Sequence, residues 1–147
     1  ATFTSSLTVT GPMVTAVSSF TRVTNGTTTQ TTFNIAYATV TLTVNNLPLM
    51  VCFSGEMNHG GVGLRFGWSF LVNGAHVVPL TASLGVTEAQ AADNAYGDNM
   101  SACYPLPPQG AGTKSFAWTP RAADAGTVTW PDDTVGAIQT FGVYELH

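Results

Sequence analysis

The chain has 147 residues, of which 44% are hydrophobic and only 8% charged, with a net charge of −4. That length suits one domain, here 1–147, able to bury roughly two-thirds of the surface its unfolded chain exposes. The basic residues Arg22, Arg65, Lys114 and Arg121 are scattered and form no stripe for phosphates, which excludes a nucleic-acid partner. The longest apolar runs fall short of a membrane span, so no membrane partner is expected either.

The opening "ATFTSSLTVTGP" holds no charged residue, and Gly11-Pro12 interrupts it as a strand. Phe3, Leu7 and Val9 share one face of it, and are the candidate assembly contacts. Residues 1–12 then read either as an arm lying along a neighbouring molecule or as the edge strand of the chain's own sheet. No basic stretch followed by an apolar one marks a secretory signal, although a mature chain would have lost it already.

Strands are expected at Phe3–Thr10 and Met13–Val23, with a turn at "VTNGTT". In "TFNIAYATVTLTV" the residues Phe33, Ile35 and Tyr37 share one face, but Val40, Leu42 and Val44 follow the parity of Ala38. A bulge or a doubly covered strand is therefore expected near "AYA". Leu49–Ser54, Leu64–Val72 and Ala75–Leu80 read as further strands, with Asn73-Gly74 as the hairpin turn between the last two. "TEAQAADNAY" has the spacing of a helix cap at Thr87 and Gln90, predicting a turn or two of helix. It lies in a long crossover, about Gly85 to Gly112, for which no regular ladder is expected. Thr113–Thr119, Thr127–Trp130 and Ala137–Leu146 complete eight to ten strands. The fold class is all-β, an antiparallel β-sandwich of jelly-roll type.

The stretch "FSGEMNHGGVG" places Glu56 three residues before His59, a spacing that serves metal binding on a helix. Here it falls between two strands beside glycines, so a polar loop tip is expected. His76 and His147 have no nucleophile signature beside them. Asp132-Asp133 has turn composition, and "DNAYGDN" fails the calcium-loop pattern. Catalytic residues, metal ligands and cofactors are accordingly predicted to be none, and the chain is not expected to be an enzyme. Trp68, Trp118 and Trp130 are expected in a core or subunit interface, with a sugar-stacking platform as the other reading. Tyr96 and Tyr104, on the crossover, are the candidate ligand or partner contacts. Cys52 and Cys103 lack zinc spacing; buried thiols are favoured over a single disulfide, because a chain this long needs no staple.

"PLMVCFSGE", "FLVNGAHV", "GTKSFAWTPRAADAGTVTW" and "IQTFGVYEL", in that order, resemble the strands of compact tumour-necrosis-factor and C1q-like jelly rolls. In particular, the chain resembles the small jelly-roll decoration or cement proteins of tailed bacteriophages, and the head domains of their fibres, over roughly residues 31–146. The resemblance implies a homodimer or homotrimer on the outer capsid surface of a virion, with the major capsid protein as partner and no active-site residues to carry over. The absence of a collagen-like or coiled-coil stalk favours the cement protein over a receptor- or carbohydrate-binding fibre head.

Overall fold

A computed structural model describes residues 17–92, 97–130 and 138–146. They form twelve strands and no helix: β1 (Ser18–Arg22), β2 (Gly26–Thr28), β3 (Ala38–Val44), β4 (Leu49–Ser54), β5 (Glu56–His59), β6 (Arg65–Val72), β7 (Thr87–Gln90), β8 (Asp98–Asn99), β9 (Ala102–Leu106), β10 (Gly112–Ala122), β11 (Val128–Trp130) and β12 (Thr140–Glu145). Every pairing is antiparallel. Two four-stranded sheets, β1-β12-β4-β9 and β3-β10-β6-β7, carry the architecture, and the short strands form a third in the order β2-β11-β5-β8. From β3 onward the chain passes repeatedly between the two main sheets, which is the interleaving of a jelly roll. The strand count exceeds the expected eight to ten because the short third sheet adds four.

The core lies between the main sheets. Leu49, Val51, Phe53, Phe141 and Val143 point inward from the first; Val40, Phe66, Trp68, Phe70, Phe116 and Trp118 point inward from the second. Phe53 stacks on Trp118 at 4.8 Å between ring centroids, and Trp118 meets Trp130 edge-on at 5.1 Å. The Trp68 indole N–H donates to the Met100 carbonyl at 2.9 Å, so burying this ring leaves no orphan donor. All three tryptophans are core residues, as the alternation in "FGWSF" and "FAWT" leads one to expect for Trp68 and Trp118.

Strands β4, β6 and β10 fall close to their expected ranges, and the Ala38, Val40, Leu42, Val44 parity holds through β3. The change of parity at "AYA" is where β3 begins rather than a bulge within it. Phe33 lies in a bend outside any strand and is fully buried, whereas Ile35 and Tyr37 are about 40% exposed. Asn73 and Gly74 both take positive φ, and Val72 and Ala75 exchange two backbone hydrogen bonds around them, as a two-residue hairpin requires. No strand follows, however: residues 76–86 run on as a loop rather than the expected Ala75–Leu80 strand.

That loop and the segment 29–37 lie over the outer face of the second sheet. Phe33 N–H donates to the Ala82 carbonyl, Val86 N–H to Trp68, and Tyr37 N–H to Trp118. Beneath them Ser69, Thr119 and Arg121 are buried. The Arg121 guanidinium pairs with Glu88 and lies 4.5 Å from the centre of the Phe33 ring. Arg121, Gly67 and Glu88 stand in one row across β10, β6 and β7.

The "TEAQ" segment is strand β7, not helix. Its Ala, Glu and Gln favour helix intrinsically, but four-residue pairing with β6 outweighs that weak preference. Gly67 makes the pairing feasible, since a Cβ there would sit 2.2 Å from the Thr87 carbonyl oxygen. The expected irregular crossover therefore contains three strands, β7, β8 and β9.

Candidate functional site

The Glu56–His59 stretch is strand β5, not a loop tip. Met57 and His59 point inward and are fully buried, while Glu56 and Asn58 are half-buried. The alternation Met57/His59 explains the result: a strand needs no more than an inward apolar residue and a satisfied neighbour of like parity. His59 Nδ1 accepts from Gly61 N–H at 3.1 Å, and Nε2 faces the Asp124 carbonyl at 3.4 Å. Its partners thus assign the proton to Nε2 and a packing role to the ring. Glu56 and His59 do not converge, and among the described residues no three His, Cys, Asp or Glu side chains gather as a metal would need. His76 donates from Nε2 to Asn34 Oδ1 at 3.2 Å, and burial lowers its pKa. Asp124 accepts from the Arg65 side chain and backbone, which holds its pKa down at about 2.

Tyr104 is on strand β9 and packs against Phe70 at 5.7 Å, half-buried beside the core instead of standing on a loop. The prolines around it suggested a loop, but Pro105 is tolerated because β9 is an edge strand. Phe3, Leu7, Val9, Tyr96, Asp132, Asp133 and His147 lie outside the described residues.

The side-chain constellation that stands out is the outer face of the first sheet. Strand registers align its outward positions in three rows. Ser18, Tyr144, Met50 and Pro105 make one row across β1, β12, β4 and β9. Phe20, Gly142, Cys52 and Cys103 make the next. Arg22, Thr140 and Ser54 form the third, continued by Ser101, whose hydroxyl donates to Ser54 Oγ. Phe20 is 69% exposed and leans over Gly142, where an added Cβ would meet it at 3.1 Å. Tyr144 is 42% exposed, and Ile138 and Leu146, at the two ends of β12, are exposed as well. Arg22 alone carries charge among these twelve positions.

Cys52 and Cys103 are disulfide-bonded, the less favoured of the two readings that the sequence left open. They sit directly opposite one another on β4 and β9 with Cα atoms 4.1 Å apart, the close approach of a non-hydrogen-bonded antiparallel pair. Being outward-facing, they staple the sheet rather than the core, so the size of the core does not decide whether they pair. Sequence reasoning missed Phe20, Met50 and Tyr144, and did not decide this disulfide. The alternation in "TFGVYEL" could have set Tyr144 outward, opposite to Phe141 and Val143, but the alignment with Phe20 depends on long-range pairing.

No protein-family model matches the chain, and none of the curated proteins matches it significantly.

Proposed function

We propose that this is a structural virion protein, a decoration or cement protein on the outer capsid surface of a tailed bacteriophage, which binds the major capsid protein and stabilises the shell. The observation that carries this reading is a surface suited to joining an assembly: the first sheet's outer face is stapled by a disulfide, almost uncharged, and has an aromatic residue 69% exposed in its middle row. Exposed apolar patches on a rigid scaffold mark sites of association. A charge-poor chain offers little else with which to recognise a partner. Stabilisation would follow from mass action, because a protein that binds only the assembled lattice shifts the equilibrium toward it.

The experiment is to add the purified protein to capsids that lack it and compare their rupture temperature. Binding in pelleting assays with a raised rupture temperature supports the reading; no binding to particles rejects it. A carbohydrate-binding head is less well supported, because the three tryptophans that would form a stacking platform are inside the core.

A further inference from the structure

We infer that the outer face of the first sheet is a self-association surface, on which a second copy of this chain docks face to face about a two-fold axis parallel to the strands. This deepens the assembly reading above and rests on it only for its setting, since the pairing is a property of the free protein.

The two main sheets differ in how their outer faces are treated. Loops 29–37 and 76–86 cover the second sheet, burying even Ser69, Thr119 and Arg121. The described residues lay no loop over the first sheet, and Phe20 is left 69% exposed in the middle row. A partner for this face must be nearly uncharged, because Arg22 is the sole charge and stands at a corner. An acidic or basic partner would desolvate its charges with nothing to pair them.

The same face on a second copy meets the requirement. With the axis between β12 and β4, β1 lies over β9 of the second copy and β12 lies over its β4, as aligned sheet packing within about 30° permits. Row then meets row. Tyr144 falls on Met50 of the second copy, a ring against a thioether. Phe20, the tallest group, falls on the flat Cys52–Cys103 staple. Arg22 falls near Ser101, so the two like charges are at opposite corners. Each contact occurs twice, as an isologous interface demands.

The twelve positions cover roughly 19 by 17 Å at ordinary strand spacing and rise. Ile138 and Leu146 extend this, but it remains below the ~800 Å² per partner of a standard interface. Moderate affinity follows, in the micromolar range, and nearly complete pairing where copies are held close together on a lattice.

The test is sedimentation equilibrium of the full chain from low-micromolar to near-millimolar concentration. The wild type should show a reversible monomer–dimer equilibrium. Phe20→Asp should weaken it more than tenfold with unchanged thermal unfolding, whereas Val78→Asp, at a 91% exposed site on the covering loop, should leave it unchanged. Met50→Asp and Tyr144→Lys should each be defective alone, yet associate when mixed, since one new carboxylate then faces one new ammonium. A wild type that stays monomeric throughout, a Phe20→Asp variant that dimerises normally, or a mixture that fails to associate overturns the inference. Particle binding by a strictly monomeric protein would sink this inference while leaving the cement reading intact, and dimerisation without particle binding would do the reverse.

Discussion

Arg121 ties β10 to β7 and to the covering segment 29–37. It is 6% exposed on the outward side of β10, held by Glu88 from β7 and by the Phe33 ring from the covering loop. Removing Glu88 would strand a buried charge, so Glu88→Ala should cost about 2–4 kcal/mol, the scale of an orphaned buried ion-pair partner discounted for the partial exposure of Glu88. Urea denaturation measures this; a change below about 0.5 kcal/mol, typical of a surface substitution, would refute it. Asp124 behaves differently because it lies at the surface, half-buried and in contact with solvent. Its hydrogen bonds from Arg65 depress its pKa from 3.8 to about 2. A depressed carboxylate pKa means that the folded state holds fewer protons than the unfolded chain in this range, so the pair's contribution is intact above the ordinary value and is lost as pH falls through about 2. A carboxyl-detected NMR titration should show that midpoint in the wild type and a rise toward the ordinary value in Arg65→Gln.

Among the elements, β7 shows where sequence reasoning succeeds and fails. Strands β4, β6 and β10 were readable because apolar alternation is a local signal that burial on a sheet imposes directly. Strand β7 was not, because its residues prefer helix and only the non-local partner β6 overrides them. Gly67 is the hidden determinant: Gly67→Ala would push a Cβ against the Thr87 carbonyl and should destabilise the protein by about 1–3 kcal/mol, as overpacking does. Hydrogen exchange should then accelerate at the β7 amides first; uniform acceleration would contradict a local origin. The β4–β9 disulfide was equally illegible, since pairing across 51 residues is set by register alone. Closing a loop of that length removes denatured-state entropy, and the Cys52→Ser, Cys103→Ser double variant should lose about 2–4 kcal/mol. Its native-state spectrum should be unchanged, because both positions face outward from the core.

At the scale of the whole molecule, the two outer faces divide the labour: among the described residues, the second sheet is closed over by the chain itself, while the first is left open. The candidate surface was barely visible in the sequence because it consists of single residues from four strands that are far apart along the chain. If segment 1–10 serves assembly, its deletion should leave cooperative thermal unfolding intact and weaken attachment to particles; loss of cooperative unfolding would instead assign it to the core. The first sheet's two borders would also respond unequally to mechanical load. β1 is attached to β12 through its ladder, with Val17 leading directly into it, so tension entering there can peel the strand one hydrogen bond at a time. β9, at the opposite border, is cross-linked to β4 by a covalent bond that pulling at ordinary forces does not break. Stretching single molecules from the N-terminal side should thus yield early, low-force extension, and reduction of the disulfide should bring the β9 border down to the same low resistance.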